Sequence, residues 1–278
     1  MKKLLHLVCL LPFLSQAQNQ SFTVQDNLKS VTITPDAIQT RRDGSGFDST
    51  KNNLVIGKRN LLDPNTHERN IAIGVDVLKK NGQGSTINGY QAFGNIGIGH
   101  STLTNNTLGY NNIGIGQGAI GSNLSGYSNI AVGPSALAAN ESGSNNIALG
   151  DRAAVYTKGN NNIGLGPASL ENLSIGDGNI GLGSGALRGF SMSTENSFSH
   201  NVGIGQGALS ALTGGAQSNV ALGYQSAQFV WQGNYNVALG AQTLRGGTTL
   251  NYEYSWNGSR NVCIGYQALG TGQAASDN

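Results

Sequence analysis

The fold of this chain follows from residues 112–150, which read NIGIGQGAIGSNLSGYSNIAVGPSALAANESGSNNIALG. A short motif occurs three times in this stretch: an Asn, two aliphatic residues around one small residue, and a Gly. Its copies begin at Asn112, Asn129 and Asn146, so they are 17 residues apart. A fixed period of this length indicates a repeat architecture in which neighbouring copies stack on each other.

The motif continues over most of the chain. Its opening Asn stands at positions 53, 70, 95, 112, 129, 146, 162, 179, 201, 219, 236 and 261. Four residues after each motif Gly there is a further aliphatic residue, for example Leu103, Ile120 or Leu137, and a small residue usually precedes it. Each unit therefore contains two short apolar stretches separated by a turn.

The alternation of large and small residues in the motif predicts β-structure, because a period of two is typical of a strand. Gly and Asn at the motif ends permit the positive φ angles of turns, whereas Gly destabilises a helix interior by about 1 kcal/mol. One unit has too few large apolar groups to form its own core. We therefore predict an all-β fold, a parallel β-solenoid of about twelve 17-residue coils.

Two features of the coil lead to further expectations. The recurring Asn either forms a ladder of stacked side-chain amides between coils or merely tolerates the turn conformation. The alternation places the bulky side chains on one face and the small residues, such as Gly114, Ala131 and Ala148, on the other. We expect these small residues to form a flat strip that a second copy of the chain can approach closely, giving a homo-oligomer. The alternative is a monomer with a solvated strip.

The motif at Asn70 to Gly74 and the Ala-Leu element at Ala136 and Leu137 resemble head repeats of YadA-type trimeric autotransporter adhesins. Related repeats occur in secreted proteins of Bacteroidota and in fibre-type β-roll proteins. The resemblance covers roughly residues 53–270. It implies a left-handed β-roll that forms a homotrimer at the cell surface and binds host matrix or other surfaces.

The chain departs from that family after the repeats. Residues 271–278 form a short polar tail in place of the family's stalk and membrane anchor. We expect a protein that is released or held by a partner, unless the sequence is a piece of a longer chain. The tail is therefore assigned as a separate segment from the repeat region, 53–270.

The first residues predict export. Lys2 and Lys3 precede an apolar run, and Ala17 ends a small-residue cleavage site, so residues 1–17 are predicted to be a signal peptide. No later apolar run is long enough for a membrane span. The mature protein is expected to be secreted or to lie at the cell surface.

Residues 18–52 precede the first repeat, and a repeat stack needs a cap for its first coil. The alternating residues from Ser30 to Thr34 predict one strand in this segment. We assign 18–52 as an N-terminal cap, with an independent binding domain as the alternative.

The composition does not indicate a catalytic, metal or cofactor site. The 16 Lys and Arg residues nearly balance 14 Asp and Glu residues, and no basic stripe predicts nucleic acid binding. The glycines at 116, 118 and 121 match a dinucleotide motif but lack its strand–helix context. Cys263 replaces the small residue of its motif and is expected in the core. We predict a protein that is not an enzyme.

Three insertions interrupt the period, at Lys79–Gly94, Arg188–His200 and Arg245–Arg260. All three extend the same segment of a coil, so the loops should project from one edge, where loops commonly carry recognition. Aromatic residues, which are scarce in this chain, concentrate in and near the third insertion. The candidate ligand-binding residues are Phe229, Trp231, Tyr235, Tyr252, Tyr254 and Trp256.

The aromatic residues near the third insertion have two interpretations. Exposed rings can stack on sugars or anchor a protein partner, or they can pack over the last coils as a cap. The main functional expectation is adhesion to a surface, an extracellular protein or a glycan. The alternatives are a structural fibre or matrix component, an ice-binding solenoid and a glycan-degrading solenoid enzyme.

Overall fold

The computed structural model describes residues 22–26, 29–34, 37–41, 53–60, 68–83, 92–190, 197–246 and 257–269. All regular secondary structure within these residues is β-strand, and the strands follow one another in chain order across a single sheet. The first three strands are β1 (Phe22–Asp26), β2 (Lys29–Thr34) and β3 (Ala37–Arg41). The longer strands that follow are β4 (Leu54–Lys58), β5 (Ile71–Val75) and β6 (Ile96–His100).

Each later coil contributes a strand of three residues. These strands are β7 (Ile113–Ile115), β8 (Ile130–Val132), β9 (Ile147–Leu149), β10 (Ile163–Leu165), β11 (Ile180–Leu182), β12 (Val202–Ile204), β13 (Val220–Leu222), β14 (Val237–Leu239) and β15 (Val262–Ile264). Strands β4 to β15 are parallel and in register, so that each motif residue pairs with its equivalent in the next coil. The predicted parallel β-solenoid is confirmed.

The core lies inside the coils, and the small residue of each motif points into it. Ala131 and Ala148 are fully buried, whereas Ile115 is 37% exposed. The expectation of a flat, open strip of small residues was therefore wrong, because the bulky aliphatic residues form the outer face. A Cβ atom added to Gly203 would lie only 3.2 Å from Cγ of Leu187. The coil is too narrow for a larger residue at this position.

The aliphatic residue of the second element fills the core from the opposite side. Leu137 is fully buried and adopts a left-handed conformation with φ of 51°. A left-handed conformation costs a non-glycine residue roughly 1–2 kcal/mol, which the burial of a complete Leu side chain, about 1.5–3 kcal/mol, offsets. Gly133, Ser135 and Asn145 in the same coil also have positive φ, so four residues of this coil adopt such a conformation.

A continuous ladder of Asn side chains runs through the solenoid. The Asn146 backbone N–H donates to Oδ1 of Asn129 at 3.0 Å, and Nδ2 of Asn146 donates to the Gly159 carbonyl at 2.8 Å. The same hydrogen bond, from a backbone N–H to the Oδ1 of the preceding motif Asn, joins every consecutive pair of motif Asn residues from Asn53 to Asn261. Of the two interpretations of this Asn, the ladder is confirmed.

A second, shorter column of Asn side chains lies eleven residues after the motif Asn in the first coils of the column. It comprises Asn81, Asn106, Asn123 and Asn140, which are joined by bonds such as Asn123 Nδ2 to Asn106 Oδ1 at 2.7 Å. The equivalent residues of the later described coils are Thr157 and then the apolar Leu173, Phe190, Leu212 and Val230; Phe190 is half-buried and the others are buried. The core therefore changes from partly polar to apolar along the solenoid.

The N-terminal strands extend the sheet beyond the first coil. β1, β2 and β3 form an antiparallel meander, and β3 pairs with β4 in parallel through Gln39 and Val55. The stretch Ser30 to Thr34 lies in β2, as expected. The predicted signal peptide and the polar tail lie outside the described residues. Across the described ranges, no helix has the length and apolar character needed to cross a membrane.

Candidate binding surface

The described ends of the three insertions lie on one edge of the solenoid. Strand register is preserved across each insertion, because β5 pairs with β6, β11 with β12, and β14 with β15 without an offset. Every insertion therefore leaves and re-enters its coil between the same two elements. The inner residues of the insertions, 84–91, 191–196 and 247–256, lie outside the described residues.

The candidate aromatic residues that the structure describes differ in exposure. Trp231 is only 8% exposed, and its ring lies 5.1 Å from that of Phe190 in a tilted contact. Phe229 is half-buried, whereas Tyr235 is 57% exposed. Trp231 therefore packs among the coils, and Tyr235 is the most exposed of the three.

The remaining candidates, Tyr252, Tyr254 and Trp256, fall outside the described residues. Their predicted role in ligand binding stays a prediction. The contact between the rings of Phe190 and Trp231 spans the intervening coil, which contributes the small Thr213. The N–H and Oγ1 of Thr213 both donate to the Trp231 carbonyl, at 2.9 and 3.1 Å. Trp231 thus contributes to packing between the coils, whereas Tyr235 stays exposed.

A stack of three aromatic rings, which was not among the predictions from the sequence, begins at the end of the first insertion. The rings of Phe93 and Tyr110 are 5.3 Å apart and nearly parallel, at 10°. Those of Tyr110 and Tyr127 are 4.9 Å apart, at 2°. Each residue stands two positions before a motif Asn, so three consecutive coils carry an aromatic residue at one register position. That recurrence was the signal that could have revealed the stack.

Polar side chains replace the rings in the next coils. The Tyr127 N–H donates to Oγ of Ser144 at 3.2 Å, and the Ser144 N–H donates to Oδ1 of Asn160 at 2.9 Å. The Asn160 N–H in turn donates to a carboxylate oxygen of Asp177 at 2.5 Å. The same column thus changes from stacked rings to a hydrogen-bonded ladder at Ser144.

The outer face of the parallel sheet is a long aliphatic surface. Each strand presents two bulky residues outward, and neighbouring coils cover only part of each side chain. Exposure is 37% for Ile115, 38% for Leu149 and 47% for Leu222. Twelve strands at a spacing of ~4.8 Å make this surface roughly 60 Å long. Monomeric proteins rarely expose one continuous apolar patch of this extent.

No protein-family model, curated protein or solved structure matches this chain. Its function must therefore be inferred from the repeat and from the surfaces of the coils.

Several charged groups of the described coils form ion pairs, most of which connect neighbouring coils. Glu171 is buried between Arg152 and Arg188, whose Nε lies 3.0 Å from a Glu171 carboxylate oxygen. Burial raises the pKa of Asp76, whereas hydrogen bonds from Arg59 and Lys79 and their positive charges lower it. The lowering effects together are larger, so the pKa of Asp76 lies below its ordinary value. His, Cys, Asp and Glu residues of the described coils form no group that could hold a metal ion.

Proposed function

We propose that this protein is an adhesive protein of the cell exterior, either secreted or held at the cell surface. The solenoid is the scaffold, and the loops along one edge make the contacts. The observation that carries this proposal is the alignment of all three insertion sites on that edge, across coils that keep their register. The predicted signal peptide and the resemblance to adhesin head repeats support export and adhesion.

The proposal includes a homotrimer whose subunits meet through the outer aliphatic face. This face is about 60 Å long and ~10 Å wide, or roughly 600 Å² per copy. Stable pairwise interfaces bury about 800 Å² per partner, so the aliphatic face supplies the apolar centre of the proposed assembly, and contacts beside this face must add to the buried area. Its two columns of β-branched and Leu side chains, including Ile115, Val132 and Leu149, offer the regular ridges that such packing uses.

The ligand class that we propose is an extracellular protein or a glycan. The near balance of 16 basic and 14 acidic residues does not favour nucleic acid. Loops that carry aromatic residues on a regular scaffold suit both proposed classes, because rings stack on sugars and anchor protein partners.

The test is adhesion of beads coated with residues 18–278 to collagen, fibronectin, chitin and cellulose. We expect retention on at least one of these surfaces, and a loss of retention when residues 247–256 are replaced by a short Gly-Ser turn. Ser184→Ala, at an exposed position outside the insertions, is the control and should keep the retention. Absence of retention on every surface, together with formation of filaments without ligand, would instead identify a structural fibre.

A further inference from the structure

The aromatic stack ends on an open ring face. Tyr110 covers one face of Tyr127 at a centroid distance of 4.9 Å, so the other face turns toward the next coil. There the equivalent residue is Ser144, whose small side chain is engaged by the Tyr127 backbone N–H. Tyr127 is accordingly 38% exposed, while Tyr110 within the stack is half-buried.

We propose that this open face of Tyr127 binds one sugar ring of a glycan. A fourth aromatic residue would stand at the position of Ser144, whose small side chain provides no ring to cover this face of Tyr127. Aromatic rings are a common platform for such contacts because their faces attract the C–H groups of a sugar. This inference deepens the proposed adhesive function and rests on it.

The groups of the next coil favour a sugar over an aromatic side chain of a protein. Glu141, Ser142 and Asn145 are exposed in that coil, and the Asn145 N–H donates to the Tyr127 carbonyl at 3.0 Å. Carboxylate, hydroxyl and amide groups are suited to the hydroxyls of a sugar. Burying them against an apolar protein anchor would leave polar groups unpaired, which costs free energy.

The adjacent ion pair adds further hydrogen-bonding capacity. Nζ of Lys158 lies 3.1 Å from a Glu141 carboxylate oxygen, and both side chains remain about half exposed. The ligand class is therefore a neutral pyranose with axial C–H groups on one face, as in β-linked glucose or N-acetylglucosamine. These sugars offer a flat C–H face to the ring and equatorial hydroxyls to the surrounding polar groups.

The experiment is a titration of residues 18–278 with cellohexaose and with chitohexaose, followed by NMR. Sugar C–H protons above Tyr127 should shift upfield through the ring current. Tyr127→Ala should weaken binding roughly tenfold, which corresponds to about 1.4 kcal/mol, and Tyr127→Leu should weaken it similarly, because neither side chain offers a ring face. Tyr127→Phe should retain binding, and Tyr156→Ala, which removes another exposed ring at 50% exposure, should not change it.

Unchanged melting temperatures of the variants will separate a loss of binding from a loss of folding. Equal affinity of Tyr127→Ala and the wild type for the oligosaccharides would overturn the proposed sugar-binding role of Tyr127. So would the absence of any binding to both oligosaccharides, or a Tyr127-dependent affinity for Tyr-containing peptides alone. The adhesive function would survive these outcomes if the coated beads still adhered to collagen or fibronectin.

Discussion

Each coil after the first begins with an Asn that is buried, although polar residues are mostly exposed in proteins. Asn146 shows why this arrangement is stable. Its Nδ2 donates to the Gly159 carbonyl, and its Oδ1 accepts the backbone N–H of Asn162 at 3.0 Å. One side chain therefore pairs polar backbone groups in two coils that would otherwise be buried without partners.

Asn146→Ala should reduce the free energy of unfolding by about 3 kcal/mol, because it leaves a buried carbonyl and a buried N–H unpaired and each costs roughly 1–3 kcal/mol. Urea denaturation of the purified protein measures the change. Asn111→Ser is the control, since Asn111 is exposed and Ser128 and Ser218 occupy its position in other coils. A loss of less than 1 kcal/mol in Asn146→Ala would contradict the role assigned to the ladder.

The motif glycines are required for the stacking of the coils. Gly223 has φ of 136°, and a Cβ atom built on it would lie 2.6 Å from the Gly240 carbonyl oxygen of the next coil. Gly223→Ala should therefore lower the melting temperature strongly. Gly185 also has positive φ, 63°, but its Cβ position meets no atom within 4 Å, so Gly185→Ala should cost only about 1 kcal/mol. Equal effects of the two variants would show that conformational strain alone decides the cost.

Cys263 should be chemically inert in the folded protein. It takes the inward-facing position of its motif, is 3% exposed, and burial raises the pKa of its thiol. Because the thiolate is the reactive form, a raised pKa slows alkylation at neutral pH. We expect iodoacetamide to modify Cys263 only after denaturation. Rapid modification of the native protein would contradict this placement in the core.

At the scale of the element, no strand is stable alone. Most strands of the solenoid have three residues, and their backbone hydrogen bonds run to the coils before and after. Each coil is thus stabilised by its neighbours, as in other repeat proteins. The free energy of unfolding should then depend on the number of complete coils and on their register.

Deletion of residues 129–145 tests this dependence, because it removes one complete coil and joins Ser128 to Asn146 in the normal register. We expect a folded, β-rich protein with a modestly lower melting temperature. Deletion of 129–136 removes half a coil and breaks the register of every following strand. Circular dichroism should show loss of a cooperative transition in this variant. Similar transitions for both deletions would refute the register requirement.

The sequence predicts the path of the coil far better than it predicts which face of each strand points into the core. The 17-residue period, the strand pattern and the Asn positions lead directly to the parallel solenoid. Alternation shows that Ile130 and Ala131 point to opposite faces, yet it does not show which face is buried. That depends on Leu137, whose positive φ turns it into the core from the far side of the coil. A left-handed Leu is not predictable from local preference.

The candidate site was harder to predict for a related reason. The local density of aromatic residues predicts a ligand-binding role for Trp231, but its ring packs against Phe190. The stack at Tyr110 and Tyr127 is visible only when the coils are aligned on the motif Asn, because its members are distant in the chain. In a repeat protein, recurrence at one register position is therefore more informative than local density.

At the scale of the whole molecule, the outer aliphatic face is the main unexplained surface of a single copy. The proposed trimer would bury this face, and its length and regularity are the features that motivate the proposal. The double substitution Ile115→Lys and Leu149→Lys places two charges on exposed positions of the face, so it should prevent assembly without disturbing the core. Ser142→Lys, on an exposed turn, is the control and should leave assembly unchanged.

The most direct measurement is the molar mass of residues 18–278 in solution, by light scattering coupled to size exclusion. A twelve-coil solenoid that buries its outer face in a homotrimer predicts three times the mass of one chain, and one chain mass for the double lysine variant. A wild-type mass equal to one chain at all concentrations would contradict the trimer. It would leave a solenoid whose aliphatic face remains in contact with water.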